Sequence, residues 1–156
     1  MKLAEALIKR KNLKVEIEEL RIRAGQYAVV QEGNVKVGET SNVLGKIQSK
    51  IKELRELIVA INKTNQESLI HDPNKEVMTI MEAIACRDML KLEKLVIDSI
   101  ADIAMGTTDR YTRNEIRTIP TIDVEKYRRE SDSLAKQYRL LDAVIQAQNW
   151  TVELSI

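Results

Sequence analysis

The sequence predicts an all-α fold, an antiparallel four-helix bundle of long helices with a short β-ribbon drawn from two irregular breaks. Three observations point there. Apolar residues recur at alternating spacings of three and four over long stretches. Only five Gly and two Pro interrupt 156 residues, so there are few places to end a helix. There is no Phe and only one Trp, so the core must be built from aliphatic side chains that pack well between helices.

The first helix is read over about Lys2–Val30. Leu13, Ile17, Leu20, Ala24 and Tyr27 form one stripe, extended backward by Ala6 and Leu3, with Arg10 interrupting it. Ile8, Val15, Ile22 and Val29 repeat every seven residues. They lie nearly opposite the first stripe, because two residues turn a helix by about 200°. A break follows at Gln31–Asn42, where Val35 and Val37 alternate with polar neighbours between Gly33 and Gly38. Ser41 or Asn42 can cap the second helix.

That helix has a coiled-coil-like seam: Leu44, Ile47, Ile51, Leu54, Ile58, Ile61 and Asn65. It ends near His71-Asp72-Pro73-Asn74, a compact turn that makes the next helix an antiparallel neighbour. The third helix, about Glu76–Met105, stops at Gly106. Its broad apolar set, from Met78 and Met81 through Leu92, Leu95 and Val96 to Ile103, implies burial on more than one side. The second break, Thr107–Ile122, reads as an extended segment able to pair with Val35–Val37. Asp123 is the cap expected for the fourth helix. This helix carries Val124, Tyr127, Leu134, Tyr138, Leu141 and Ile145 and ends around Gln148, before an extended tail, Asn149–Leu154. The whole chain is read as one domain, 1–156.

Composition narrows the function classes. Hydrophobic residues are 44% and charged residues 31%, a globular balance. A net charge of +1 supplies no global field for nucleic acid or acidic membranes, so nucleic acid is not an expected partner. Cys86 is the single cysteine, which excludes an internal disulfide and fits the cytoplasm. The N-terminal stretch is broken by charges and does not read as a secretion signal. No run of about 18 uncharged apolar residues predicts a membrane span.

No catalytic, nucleotide or cofactor motif is present, so no cofactor or metal is expected. A di-metal carboxylate site needs Glu-x-x-His on two helices, and the lone histidine, His71, sits in a turn. Cys86, on an apolar helix face, reads as a small hydrophobe.

Three polar groups stand out. Asn62 and Asn65 lie at the end of the second helix, Asn65 on the seam, where a polar residue either fixes register or meets a ligand. Arg87 and Asp88 interrupt the third helix, with Asp88 in line with Met81, Ala85 and Leu92. A buried charge there needs a partner, either an inter-helix salt bridge or the wall of a polar pocket. Arg110, Tyr111, Arg113 and Arg117 sit in the second break. They either bind an anionic ligand, phosphate or carboxylate, or pin the loop to acidic helices.

Several segments together resemble a small bacterial family named septicolysin. They are Met1–Leu7, Gln31-Glu32-Gly33, Ile61-Asn62-Lys63-Thr64-Asn65, Arg87-Asp88, Asp109–Ile116 and Asp142–Thr151, spread in order over nearly the whole chain. The family name implies a pore-forming cytolysin; the resemblance brings no catalytic residues with it. The leading expectation from the residues themselves is a cytoplasmic helical protein that self-associates through Ile8, Val15, Ile22 and Val29. An anion- or nucleic-acid-binding module on the arginine loop is the alternative, and the cytolysin a further one.

Overall fold

A computed structural model describes residues 1–29, 39–106 and 119–155. The fold is all-α. Four long helices, α1 (Leu3–Ala28), α2 (Glu39–Glu67), α3 (Ile80–Gly106) and α4 (Val124–Thr151), are joined by one small antiparallel hairpin, β1 (Leu69–His71) and β2 (Val77–Thr79). The chain divides into two compact units, Met1–Ser68 with Gln148–Ile156, and Leu69–Ala147.

In the first unit α1 and α2 run antiparallel, since Lys9 reaches Glu53 (2.8 Å) while Lys50 reaches Glu16 (2.7 Å). The inward stripe of α1 is the one expected: Leu3, Ala6, Arg10, Leu13, Ile17, Leu20 and Ala24 are buried or half-buried. Tyr27 lies beyond it, exposed.

The inward stripe of α2 is rotated from the expected seam. Val43, Ile47, Lys50, Leu54, Leu57, Ile61 and Thr64 are buried or half-buried, while Leu44 and Ile51 are exposed. Both series share Ile47, Leu54 and Ile61, and both alternate four and three, so spacing alone could not separate them. The deciding group is Thr64, fully buried. Its hydroxyl donates to the Ala60 carbonyl (2.8 Å) and accepts from the Ser155 amide (2.9 Å), which leaves no buried polar atom unpaired.

The C-terminal residues of this unit are stitched to its N-terminus. The Leu3 amide donates to the Val152 carbonyl and the Leu154 amide to the Met1 carbonyl, each at 2.9 Å. Lys2 Nζ bonds both Glu153 (2.8 Å) and the Thr151 carbonyl (2.9 Å). The tail expected to be extended from Asn149 is therefore corrected: Asn149, Trp150 and Thr151 continue α4, Val152 bends the chain, and Glu153 forms an antiparallel bridge with Lys2. Asn149 is buried in that last turn, where helix satisfies its backbone better than an open strand edge.

In the second unit the expected compact turn is the tip of the hairpin. The Asp72 carboxylate accepts from the amides of Asn74 (2.9 Å) and Glu76 (2.7 Å). These bonds hold Lys75 at φ 68°, a left-handed conformation that glycine adopts at less cost. Since Val77–Thr79 is strand, α3 begins at Ile80, not near Glu76. Thr79 and Glu82 form a capping box there: the Glu82 amide donates to the Thr79 hydroxyl (3.1 Å), and the Thr79 amide to the Glu82 carboxylate (2.7 Å). The backbone hydrogen bond from Thr79, then its hydroxyl, holds Glu82 below the usual carboxylate range.

The ribbon thus comes from the turn between α2 and α3. The pairing expected of the two breaks falls largely outside the described residues, and Ile119–Ile122 is not strand. Asp123 caps α4 as expected, accepting from the Lys126 amide at 3.1 Å.

Candidate functional site

Helices α3 and α4 run antiparallel, cross-linked by Arg87 to Asp142, Asp98 to Ser131 and Asp102 to Arg128. The inward stripe of α4 is Val124, Tyr127, Ser131, Leu134, Tyr138, Leu141 and Ile145, the expected set with Ser131 filling its gap. The inward stripe of α3 is Ile80, Ala83, Arg87, Leu90, Lys94, Ile97, Ala101 and Ala104. Two cations therefore occupy stripe positions of a helix that has apolar residues to spare, and each must find a partner.

Arg87 Nη1 bonds Asp142 on α4 (3.0 Å), while Nε (3.0 Å) and Nη2 (2.8 Å) bond Asp88. Burial opposes the guanidinium charge, but the hydrogen bonds it donates to Asp88 and Asp142 outweigh this and raise its pKa. About three helical turns further along α3 lies a second cluster, around Asp98. Its carboxylate accepts from Lys94 Nζ (2.5 Å) and from the Ser131 hydroxyl (2.6 Å). Arg128 stands 3.6 Å from Asp98 and also bonds Asp102. The bonds from Lys94 and then Ser131 hold Asp98 below the usual carboxylate range, against a smaller opposing effect of desolvation.

Beside this ladder lies a groove of about 580 Å³, lined by the hairpin tip, α3 and α4. Its lining includes the apolar Met78, Met89, Leu90 and Leu140, the acidic Asp72, Glu76 and Glu93, and Cys86. The chemistry available is apolar contact with acidic edges. Among the described residues no group of three His, Cys, Asp or Glu side chains is placed to hold a metal ion. Among the same residues no helix is long and apolar enough to cross a membrane.

The residues singled out from the sequence fall into separate places. Arg87 is half-buried and touches its neighbour Asp88. Asp88 was expected to be buried because it shares a line with Met81, Ala85 and Leu92. It is exposed, because that line faces outward from α3. Asn62 is exposed and Asn65 half-buried, both in the first unit. Arg110, Tyr111, Arg113 and Arg117 lie outside the described residues. Ile8, Val15, Ile22 and Val29 are all exposed.

Sequence reasoning missed Asp142, Asp98, Ser131 and Arg128. A signal existed for Ser131: it completes the three-four spacing between Tyr127 and Leu134, where a small polar residue in an inward stripe requires a partner.

The expected burial of α3 on more than one side is also corrected. Met81, Met89, Leu92, Leu95, Val96 and Ile103 are all at least half exposed. The helix buries the stripe that carries Arg87 and Lys94: Arg87 pairs with Asp142 on α4, and Lys94 pairs with Asp98 on its own helix, which the Ser131 hydroxyl of α4 also bonds.

Comparison with known proteins gives the fold and a family. The chain is similar to a functionally unknown conserved protein from Corynebacterium diphtheriae, known from a crystal structure. The two are 32% identical, with 99% of each chain covered and a TM-score of 0.87. No curated protein matches. A family described as one of unknown function, DUF6847, matches residues 10–154, and the chain belongs to it.

Proposed function

We propose that this is a helical protein that works by packing against further copies of itself. The observation that carries this reading is the outward strip of α1. Ile8, Val15, Ile22 and Val29 are 50%, 50%, 52% and 80% exposed. Seven-residue spacing keeps Ile8, Val15 and Ile22 in one line about 21 Å long, the pattern a second helix meets in a coiled coil, and Val29 follows in extended backbone just past the helix end. A symmetric copy is the simplest cover. The single cysteine supports a cytoplasmic setting. The resemblance to the septicolysin-named family suggests membrane lysis instead, and dye release from liposomes at micromolar protein would put that role first.

Sedimentation equilibrium tests self-association. The expected mass at micromolar protein is a multiple of 17.8 kDa; a species of single-chain mass overturns the reading. Val15→Glu combined with Ile22→Glu should lower the mass, because each carboxylate would be buried without a partner. An unchanged mass in that variant places the contact on another face.

A further inference from the structure

We infer that the outward face of α3 is a contact between two copies of this chain, formed by two-fold antiparallel pairing of α3 with its counterpart. This rests on the self-association proposed above and adds to the α1 strip a second contact surface with a defined symmetry.

The first argument is area. Met81, Leu92, Leu95, Val96 and Ile103 are 50–67% exposed, as is Met89 at the edge of the face. They follow one another at helical spacing over about 33 Å. Half-exposed aliphatic side chains of this size present on the order of 90 Å² each, so the face offers roughly 550 Å² of apolar surface, against about 800 Å² of all kinds per partner in a standard interface. The four residues of the α1 strip offer clearly less. A patch of this size stands at the upper end of what typical monomers expose, about 300–600 Å², and such patches are often functional.

The second argument is polarity. Only Asp88 and Ser99 interrupt this face. Parallel pairing in register would set Asp88 beside Asp88 of the second copy, two like charges in a drying interface. Antiparallel pairing sets it level with Val96, and Arg87 already neutralises it within its own chain through two hydrogen bonds. Antiparallel helices also oppose their dipoles favourably. Full overlap of a stripe running from Met81 to Ile103 puts its midpoint, Leu92, on the two-fold axis. It sets Met81 against Ile103 of the second copy.

Cross-linking of the full chain tests this. In a Cys86→Ala background, Leu92→Cys treated with a short bis-maleimide should give a species of twice the chain mass on a denaturing gel. Met81→Cys and Ile103→Cys should each give little of it alone and much more when mixed. Circular dichroism on each variant checks that the helices are retained; all three positions are exposed, so folding should persist. Cross-linking of Met81→Cys alone, as strong as in the mixture, would overturn the antiparallel arrangement. An oligomer by sedimentation that yields no Leu92→Cys cross-link overturns this inference and leaves self-association standing. A single-chain mass by sedimentation removes both.

Discussion

The α1–α2 pair and the α3–α4 pair are built on the same repeat and hold together differently. In α1–α2 the ion pairs, Lys9–Glu53 and Lys50–Glu16, are fairly exposed, and only Lys50 of the four holds an inward stripe position. Its centre is Leu13, Leu57 and Ile61, with Thr64 as the one fully buried polar group. In α3–α4 two cations sit within the inward stripe itself: Arg87 is answered by Asp142 across on α4, and Lys94 by Asp98, which also accepts from the Ser131 hydroxyl of α4. The more apolar helix of the two pairs, α3, thus spends inward positions on cations and turns much of its apolar surface to solvent. Partnered charges specify which helix lies opposite and in what register, while an apolar seam accepts many neighbours.

The sharpest way to break that contrast is to remove one aliphatic side chain from each pair. Ile61, 1% exposed, fills the centre of the first unit, and Ile61→Ala should cost about 2–5 kcal/mol through lost burial and the cavity left behind. Leu92→Ala, on the outward face of α3, should change the unfolding free energy of dilute protein by no more than about 0.5 kcal/mol. Urea titrations of the two variants side by side measure this. Equal losses would mean that the outward face of α3 is covered within one chain.

Next in size is the ladder. Arg87→Ala leaves Asp142 without its cross-helix partner. Because Arg87 keeps a fifth of its side chain exposed, the expected cost is about 1–2 kcal/mol, below that of a fully buried pair. A double-mutant cycle with Asp142→Ala isolates the pair, and a coupling near zero would reduce this contact to a surface ion pair.

The smallest effect expected is on acid stability. Asp98 has a folded pKa below its unfolded value, so the unfolded chain binds the extra proton first. Its contribution is present above the ordinary aspartate pKa of about 3.9 and is lost as pH falls through the lower folded value. Ser131→Ala removes one of the two leading causes of the shift. Denaturation midpoints of that variant and the parent should therefore differ above about pH 4 and converge below it. A constant difference down to pH 2 would show that Ser131 acts through packing alone.

How much was legible in the sequence differs between elements for physical reasons. The inward stripe of α4 could be read directly, because it has one dominant series and a polar remainder, and that of α1 because it is the longer of two apolar series. The cap at Asp123 and the turn at Asp72-Pro73-Asn74 were legible because local chemistry sets both. The start of α3 was not seen, although Thr79-Ile80-Met81-Glu82 carries the capping signature, because the apolar periodicity runs straight through Val77 and Met78. The charge ladder was half legible: Arg87 and Asp88 could be flagged as interruptions, but Asp142 and Asp98 look like any carboxylate on a solvated helix face.

By itself the sequence determined four helices, their three-four repeat and an aliphatic core. Spacing and the scarcity of Gly and Pro are properties of the chain alone, and they act within a few residues. Only the tertiary structure decided which of two competing stripes turns inward on α2 and α3. Leu44–Ile51 and Val43–Leu57 satisfy the same period, as do Met81–Val96 and Ile80–Ala101. Their intrinsic hydrophobicity even favours the outward choice on α3. What tips the balance lies far away in sequence: the Ser155 amide that meets Thr64, and the α4 carboxylate and hydroxyl that meet Arg87 and Asp98. An unpartnered buried polar group costs more than one exposed aliphatic side chain, so these long-range partners set the rotation of each helix about its axis.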